Sequence, residues 1–265
     1  MERAAAGSFR IATFNVNDVV RHLPVLLTWL ERTQPNVVCL QEIKVEDARF
    51  PIAKIERAGY GAVWRGQRRW HGVAILAAGA TPVLTRRALP GNEADHEPRY
   101  IEAAVEGVLI GCIYLPNGNP WPGPKFAYKM EWFGRLVAHA GGLLEAQVPV
   151  VIAGDYNVVP TDRDIYSTKS WTDNALLQPE PRAAFARMIE MGWRDGIGSF
   201  YSDHTPYTFW SDARDRWARD AGMRIDHLLV SPAIAPRLGQ AGVDRWVRGL
   251  PATSDHAPAW IELTQ

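Results

Sequence analysis

The stretch Val148-Pro149-Val150-Val151-Ile152-Ala153-Gly154-Asp155-Tyr156-Asn157 decides the fold of this chain. A continuous Val/Ile run of this length predicts a β-strand that is buried on both faces and ends at the glycine. Asp155 and Asn157 follow the run two positions apart, so their side chains point the same way at the strand end. Functional groups gather at such positions, although Asp and Asn are equally common in ordinary turns.

The composition is that of an ordinary globular protein, and its positive and negative charges balance. The chain has 265 residues, of which 47% are hydrophobic and 22% are charged, and this is ordinary for one globular domain with a large core. The 29 Lys and Arg residues balance the 29 Asp and Glu residues, so the formal net charge is zero. A polyanion such as DNA must therefore be bound by a local basic patch, because no overall field attracts it.

The two cysteines bear on the compartment of the protein. Cys39 and Cys112 both lie within apolar, strand-like runs, and the sequence shows neither a signal peptide nor a long apolar span. Two buried thiols in such a chain predict a reducing, cytoplasmic location, associated with the nucleoid if the source is bacterial. We expect the protein to be a monomer.

Other predicted strands also have polar side chains next to their ends. The strand at residues 9–15 ends on Asn15, with Asn17 two residues further on, and the buried strand that follows it ends on Glu42. Asp255 stands just before the terminal strand. Because several strands finish in this way, the polar groups after the Val/Ile run are more than a turn signal.

The order of predicted elements indicates the fold class. Helices are predicted at residues 23–30, 125–146 and 181–190 from their apolar spacing. Further strands are predicted at residues 61–64, 73–76, 81–85, 100–105, 108–114, 207–210 and 224–230. This pattern predicts an α/β (α+β) fold, a four-layer sandwich of two packed mixed β-sheets flanked by helices. Residues 1–8 are expected to be a flexible N-terminus, and residues 9–265 to form a single domain.

The strand ends would place several acidic and amide groups at one end of the sandwich. That group comprises Asn15, Glu42, Asp155, Asn157 and Asp255. Converging carboxylates repel one another, and a hard divalent cation with oxygen ligands relieves the repulsion. Mg²⁺ fits this ligand set, with Mn²⁺ as a possible substitute. A zinc site is not expected because the sequence lacks clustered Cys/His spacing.

The sequence also contains a basic loop with an aromatic residue, Arg65-Gly66-Gln67-Arg68-Arg69-Trp70-His71. Such a charge run is usually only a solvated face of the protein. Arginines next to a tryptophan also suit a phosphate backbone and stacked bases, so the loop is a candidate contact for nucleic acid.

Eight short motifs occur in an order that resembles the exonuclease III family of Mg²⁺-dependent DNA-repair nucleases, within the endonuclease/exonuclease/phosphatase superfamily. The motifs are Thr13-Phe14-Asn15-Val16-Asn17, Leu40-Gln41-Glu42-Ile43-Lys44, Gly72-Val73-Ala74, Tyr114-Leu115-Pro116-Asn117-Gly118, Gly154-Asp155-Tyr156-Asn157, Thr161-Asp162-Arg163-Asp164-Ile165, Arg224-Ile225-Asp226 and Ser254-Asp255-His256-Ala257-Pro258. Each motif is weak alone, but together they cover the chain from Arg10 to Leu263. The resemblance implies a single catalytic domain that hydrolyses phosphodiesters of double-stranded DNA at abasic sites or 3′ ends.

The resemblance implies roles for the residues of these motifs. The implied catalytic group is Tyr114, Asp155, Asn157, Asp226 and His256. Asp155, supported by Asn157, would orient or deprotonate the attacking water, and Tyr114 would contact the scissile phosphate. Asp226 would hydrogen-bond to His256, which is expected to raise the pKa of the imidazole.

Metal and substrate contacts follow from the same resemblance. Glu42 and Asp255 would hold the metal directly or through water, with Asn15 as a further metal-site residue. The implied substrate contacts are Asn17, Arg99, Asn117, Lys129, Phe209, Trp210 and Met223. Arg99 and Lys129 match positions that touch DNA phosphates. The last three resemble an apolar pocket for a base-free sugar, with plain core packing as the alternative.

The sequence departs from the family pattern in two places. Asp18-Val19-Val20 follows the second asparagine, where a small residue and a hydrophobic-arginine pair are common. His71 stands where a small hydroxyl residue is common. The balance of abasic endonuclease, 3′-to-5′ exonuclease and 3′-phosphatase activity is therefore open. Tyr166 is a candidate gate between internal and terminal substrates, or else a surface tyrosine.

Two other functions are compatible with the sequence. A phosphatase or phosphodiesterase of the same superfamily that acts on a small molecule would keep the central residues without needing a grip on duplex DNA. A non-catalytic DNA-binding module would be expected to lack at least one of the proposed catalytic residues, and all of them are present.

Overall fold

The computed structural model describes residues 7–169 and 171–264. Most of the predicted flexible N-terminus, residues 1–6, lies outside this range. The strands are β1 (Phe9–Asn15), β2 (Val37–Gln41), β3 (Tyr60–Arg65), β4 (Val73–Ala78), β5 (Val83–Arg86), β6 (Tyr100–Val105), β7 (Val108–Tyr114), β8 (Val150–Asp155), β9 (Arg194–Asp195), β10 (Asp226–Val230), β11 (Leu238–Val243) and β12 (Ala259–Leu263). The α-helices are α1 (Leu23–Thr33), α2 (Ile52–Arg57), α3 (Pro124–Glu145) and α4 (Pro179–Glu190). Short 3₁₀ turns occupy Asp47–Arg49, Asp162–Asp164, Gly198–Phe200, Ala213–Asp215, Ala235–Arg237 and Arg245–Val247.

The strands form two six-stranded mixed sheets, in the orders β11-β12-β1-β2-β4-β3 and β5-β6-β7-β8-β10-β9. Each sheet has one parallel pair at its centre, β1 with β2 and β7 with β8, and its other pairs are antiparallel. A helix connects the two strands of each parallel pair, as parallel pairing requires. The predicted four-layer sandwich is confirmed. No helix in the described part of the chain has both the length and the apolar character needed to cross a bilayer.

Alternation along the central strands divides the hydrophobic core into layers. In β8, Val151 and Ala153 face the core between the two sheets, while Val150 and Ile152 face the layer beneath α3 and α4. The strand is therefore buried on both faces, as its continuous Val/Ile run predicts. A slip of one residue would exchange the two faces, so this packing fixes the register of the strand and the position of Asp155 at its end.

Most predicted elements are present with small shifts at their ends, but the predicted strand at residues 207–210 is wrong. Phe209 makes only isolated bridges, to Met223 and to His256. The sequence interpretation missed α2, β9 and β11. β9 has two residues, and β11 is a mostly exposed edge strand, so neither carries an apolar pattern that could have revealed it.

The register of the strands brings the polar strand ends together. Tyr114 pairs with Asp155 across β7 and β8, and Asp226 pairs with Asp155 across β10 and β8. In the other sheet, Asn15 pairs with Gln41 at the end of β2, next to Glu42. The two sheets pack face to face, so these ends meet at one end of the sandwich.

A buried arginine just before β10 connects three segments of the chain. Arg224, just before β10, donates from Nε to Asp164 Oδ1 at 2.7 Å and from Nη1 to Asp195 Oδ2 at 2.8 Å. Burial alone would raise the pKa of both carboxyls, but the Arg224 charge and further hydrogen bonds hold each pKa below its usual range. Arg224 thus joins the loop that follows β8 and the end of β9 to β10.

We predict that Arg224→Met lowers the free energy of unfolding by about 3–5 kcal/mol near neutral pH, because it leaves two buried carboxylates unpaired. The lowered pKa values mean that the carboxylates stabilise the fold above the ordinary Asp pKa of about 3.9 and lose this effect as pH falls below it. Denaturant unfolding from pH 7 to pH 3 should show the difference from wild type shrinking with acid. The exposed Arg57→Met variant serves as the control, and equal losses in both variants at every pH would contradict the prediction.

Candidate active site

The side-chain amide of Asn15 lies between two carboxylates that come from different sheets. Its Nδ2 donates to Glu42 Oε1 at 2.8 Å and to Asp155 Oδ2 at 3.0 Å. Asn15 is completely buried, and its Oδ1 accepts the backbone N–H of Asn17 at 3.1 Å. One amide therefore fixes the distance between the two acidic groups and holds the turn that follows β1.

Glu42 also faces a cation. It follows β2 in the left-handed backbone region, with φ 52°, and its Oε2 lies 2.8 Å from the ammonium of Lys44. Burial alone would raise the pKa of Glu42, but the Lys44 charge and the Asn15 hydrogen bond lower it. Glu42 is therefore an ionised carboxylate at neutral pH. Lys44 is a site residue that the sequence interpretation missed, although it stands within the quoted motif Leu40-Gln41-Glu42-Ile43-Lys44.

Asn17 connects this group to Asp255. Its Nδ2 donates to Asp255 Oδ1 at 3.2 Å, and its Oδ1 accepts a hydrogen bond from Lys44 Nζ. Ser254, next to Asp255, donates to the backbone carbonyl of Asn15 at 2.7 Å. The Glu42 and Asp255 carboxylates at this point are hard oxygen ligands, the chemistry that suits Mg²⁺ and similar cations.

Asp155, Asp226 and His256 form a second acidic group at the end of β8. Asp226 Oδ2 accepts from His256 Nδ1 at 2.8 Å, and His256 Nε2 lies 3.9 Å from Asp155 Oδ2. The hydrogen bond predicted between Asp226 and His256 is therefore present. Burial alone would lower the pKa of His256, but the charge and hydrogen bond of Asp226 raise it to about 10. The rise in the imidazole pKa matches the prediction.

Burial and the charge of Asp226 raise the pKa of the Asp155 carboxyl to about 7, against the opposing effects of His256 and the Asn157 N–H. Ligand atoms of Asp155, Asp226 and His256 lie within 4.8 Å of one another, so this group could also hold a metal ion. The imidazole is already engaged with Asp226, whereas Glu42 and Asp255 offer only oxygen ligands. The Glu42 and Asp255 side therefore fits a hard cation better.

The backbone N–H and the side-chain amide of Asn157 make three hydrogen bonds. Its N–H donates to Asp155 Oδ1 at 2.9 Å, its Nδ2 to the carbonyl of Leu115 at 2.9 Å, and its Oδ1 accepts from Asn117 Nδ2 at 2.9 Å. With φ 46°, Asn157 adopts the left-handed conformation that asparagine tolerates better than most residues. These bonds lock the β8 turn to the loop that follows β7.

Tyr114 lies on the other side of Asp155. Burial and the negative charges of Glu42 and Asp155 raise the pKa of its phenol, so the hydroxyl remains a donor. The Arg99 guanidinium lies 4.8 Å from the centre of the Tyr114 ring, and its Nε pairs with Glu97. The predicted contact of Arg99 with a DNA phosphate remains a prediction.

His71 lies close to Tyr114 and Arg99. Its ring centre is 6.0 Å from that of Tyr114, and its Nε2 lies 3.4 Å from Glu97 Oε2. Burial and the Arg99 charge lower the pKa of His71 to about 4. The sequence showed His71 only as a departure from the family pattern, and no sequence signal connected it with Tyr114.

Residues 12–256 match the model of the endonuclease/exonuclease/phosphatase family. The chain belongs to this family. It is 32% identical to exodeoxyribonuclease III of Haemophilus influenzae, over 96% of this chain and 99% of that protein. The resemblance to the exonuclease III family found in the sequence is confirmed.

Solved structures give the same result for the fold. The 3′ phosphatase NExo from Neisseria, bound to a product DNA hairpin, superposes with a TM-score of 0.92 and 32% identity, covering 97% of this chain and 100% of that one. An AP endonuclease from Archaeoglobus fulgidus gives a TM-score of 0.91 and 30% identity, covering 96% and 99%. Members of the family with different named activities thus share this fold closely.

Lys129 does not lie where its match to family phosphate contacts predicts, and that prediction is corrected. The side chain is completely buried, and its Nζ donates to the carbonyls of Asn117 at 3.1 Å and Asn157 at 2.5 Å. Burial lowers the pKa of Lys129 to about 7, against the opposing charge of Asp155. The long aliphatic stem lets the amine reach inward from α3, so Lys129 joins the two loops instead of facing solvent.

Trp210 is also corrected, because it belongs to the core. It is 1% exposed, its Nε1 donates to Asp220 Oδ1 at 3.0 Å, and it packs edge-on against Trp217. Phe209 is partly exposed and packs 4.9 Å from the His256 ring, while Met223 is buried in the apolar cluster beside it. The buried residues of that cluster are Val159, Ile165, Leu176, Met223 and Ile225.

Only part of the basic loop, residues 65–71, is exposed for the predicted contact with nucleic acid. Trp70 is 67% exposed, and the φ angles of Arg69 and Trp70 are 68° and 66°. Arg65 is folded back, because its guanidinium donates to the carbonyls of Arg87 and His96 at 2.8 Å. Arg69 and Trp70 therefore remain candidates for a nucleic-acid contact, whereas Arg65 serves the fold.

We predict that Lys129→Met lowers kcat by about tenfold or more, because a shift of the Asn157 turn misplaces groups around Asp155. The dependence of DNA affinity on salt should stay unchanged, since a buried amine makes no phosphate contact. Steady-state kinetics and binding titrations at several salt concentrations would measure both effects. Lys125→Met, an exposed lysine one helical turn earlier, is the matched control. A salt slope reduced by about one in Lys129→Met alone would show a phosphate contact and contradict the structure.

Proposed function

We propose that this protein is a metal-dependent DNA-repair nuclease that hydrolyses phosphodiesters of duplex DNA at abasic sites, at 3′ ends or at both. The observation that carries the proposal is the Asn15 amide, which holds Glu42 and Asp155 together beside the Asp226–His256 pair. The family match and the full-length similarity to an exodeoxyribonuclease support the same reaction class. Neither alternative, a small-molecule phosphatase or a non-catalytic module, gains support from these comparisons.

In this proposal, Glu42 and Asp255 would hold Mg²⁺, with Asn15 and Asn17 as neighbouring amides, and Mn²⁺ would be a possible substitute. When bound, the ion would neutralise charge on the phosphate oxygens. Glu42 is ionised and already pairs with the Lys44 ammonium, so this side of the site is arranged for a positive charge. Asn17 hydrogen-bonds Asp255 and thereby keeps the second carboxylate in place.

Asp155 acts as the general base in this mechanism. Its carboxyl has a pKa of about 7, which lies close to neutral pH, where an acid–base group works best. The Asn157 N–H and the Asn15 amide each donate to one of its oxygens and so fix its orientation. Asp155 is thus held in place to accept a proton from an attacking water.

Tyr114 and His256 donate to the phosphate as negative charge develops on it. The phenol stays protonated because its pKa is raised, and the imidazole is protonated because Asp226 stabilises its charged form. Donors that are already oriented lower the barrier without reorganising during the reaction. Asp226 acts through His256, by holding the ring through Nδ1.

The substrate in this proposal is duplex DNA with an abasic site or a 3′ end. Arg99, Asn117 and the exposed residues of the basic loop would contact the strand, and Phe209 and Met223 would line an apolar pocket for a base-free sugar. The similar structures include both a 3′ phosphatase and an AP endonuclease, which is why both substrates are proposed. We further propose that residues 9–265 form one catalytic domain, that the protein is a monomer and that it works in the cytoplasm.

We predict that cleavage of a nicked abasic duplex and of a duplex with a 3′-phosphate requires a divalent cation. Glu42→Gln should raise the Mg²⁺ concentration that gives half-maximal activity, because a neutral amide holds the cation less strongly. Mg²⁺ titrations of wild type and variant would measure the shift. Glu46→Gln, an exposed glutamate in the following loop, is the control and should leave the titration unchanged. Full activity in excess chelator would exclude the metal mechanism.

We predict that Asp226→Asn stays folded and binds DNA almost normally but loses turnover by roughly 100-fold or more, because the imidazole loses its charged partner. The double variant with His256→Asn should lose little beyond either single variant, since the two residues act as one unit. Single-turnover rates and thermal melting would separate catalysis from stability.

The exposed Asp203→Asn variant is the control for this cycle. Strictly additive losses in the double variant would mean that Asp226 and His256 act separately. A large fall in melting temperature with turnover preserved would mean that the pair only connects two strands. Either result would remove the pair from the mechanism.

A further inference from the structure

Arg216 is buried against two aromatic side chains that pack on the apolar cluster around Met223. The residue is 8% exposed, and its guanidinium carbon lies 4.2 Å from the Trp171 ring centre and 5.8 Å from the Tyr166 ring centre. It comes from the turn around Ala213–Asp215, whereas the two rings come from the loops that follow Asp164. Cation–π contacts of this kind hold a guanidinium in place, but they give its N–H groups no acceptor.

The donors of Arg216 are not used within the described residues. Its Nε and Nη1 are buried and have no hydrogen-bond partner there. The other buried arginines of the described chain each pair with a carboxylate: Arg10 with Glu262, Arg99 with Glu97, and Arg224 with Asp164 and Asp195. A guanidinium cannot lose its charge in a protein, so burying one without an anion is costly. Arg216 is the exception among these arginines.

A series of side-chain contacts connects Arg216 with the candidate active site. Trp171 Nε1 donates to the Tyr166 hydroxyl at 3.3 Å, and both rings pack on the apolar cluster that contains Met223. Phe209 packs on the same cluster and also on the ring of His256. Arg216 is thus connected to His256 through its two aromatic neighbours, the apolar cluster and Phe209.

We propose that Arg216 binds a phosphate of the DNA substrate at the rim of the apolar pocket, either a 3′-terminal phosphomonoester or a bridging phosphodiester beside the target nucleotide. The inference rests on the function proposed above and names a binding residue for it. The planar fork of donors matches two phosphate oxygens at once. The two rings hold that fork in position before DNA binds, so little side-chain freedom is lost on binding.

The rim formed by Tyr166, Trp171 and Arg216 would also affect substrate choice. An arginine at this place strengthens the binding of a substrate that carries a phosphate next to the pocket. It does not strengthen the binding of a substrate that lacks this phosphate. The Tyr166 ring, which lies against the guanidinium, then acts as a support for the phosphate site. Its predicted role as a gate would depend on Arg216.

The test compares Arg216→Met with Arg219→Met, an exposed arginine in the same loop. DNA binding is measured in chelator, by fluorescence anisotropy at several salt concentrations, so that it does not depend on turnover. The probes are a duplex with a recessed 3′-phosphate, the same duplex with a 3′-hydroxyl, and an abasic duplex. We expect Arg216→Met to weaken binding by about tenfold at moderate salt and to reduce the salt slope by about one.

The pattern across probes identifies the phosphate. A loss confined to the 3′-phosphate duplex points to the terminal group, whereas equal losses on all three duplexes point to a bridging phosphodiester. Arg216→Lys, which keeps the charge but not the fork, should restore the salt slope and only part of the affinity. Inorganic phosphate should compete with the 3′-phosphate probe in wild type more strongly than in Arg216→Met if the terminal group is the ligand.

Two results would overturn the inference. Arg216→Met and Arg219→Met could lose affinity and salt slope equally, which would indicate only a general charge effect. Alternatively, Arg216→Met and Arg216→Lys could both lower the melting temperature while DNA binding by the folded fraction stays unchanged, which would make the arginine structural. Binding that depends on Arg216 without any cleavage by wild type would instead contradict the proposed function and leave the phosphate site intact.

Discussion

The candidate site depends on one buried amide that keeps two like charges close together. Asn15 extends from the end of β1 and donates to Glu42 in its own sheet and to Asp155 in the other sheet. Without these donors, the Glu42 and Asp155 carboxylates would repel each other in a region with little water. The amide reaches both carboxylates because the pairing of β1 with β2 and the packing of β8 from the other sheet bring three strand ends together. The geometry of the site therefore depends on how the two sheets pack against each other.

The sequence predicted the parts of the structure that follow from strand patterning. A Val/Ile run buried on both faces belongs among the inner strands of a sheet that is covered on both sides, so it predicted that Asp155 ends a buried strand near other strand ends. Long side chains were harder to place. Lys129 lies on a helix that faces the site, and whether its amine turns toward solvent or toward two carbonyls depends on loops that are far apart in sequence. Trp210 was ambiguous for the same reason, since an aromatic residue next to a pocket can line it or support it from behind.

The buried charges near the site fall into two groups. Arg224 and Asp226, two residues apart, each have a partner of opposite charge, and together they fasten the start of β10. Lys129 and Arg216 instead form no ion pair within the described chain: the first donates to backbone carbonyls, and the second lies against aromatic rings. Removing one partner of a pair of the first kind leaves an uncompensated buried charge and destabilises the fold, whereas a buried cation without an anion is costly until a ligand supplies one. No sequence pattern separates the two groups, because the distinction lies in which distant residue each side chain meets.

The topology has a consequence for the folding of the protein. Each sheet has its own parallel pair with its own connecting helix, so each could begin to form from a separate part of the chain. Yet β12, which pairs with β1, follows every strand of the second sheet along the chain, so the first sheet is completed only after all strands of the second have been made. A nascent chain has Glu42 early, whereas Asp255 and His256 follow only after β11. A nascent chain that stops before them therefore lacks the assembled site.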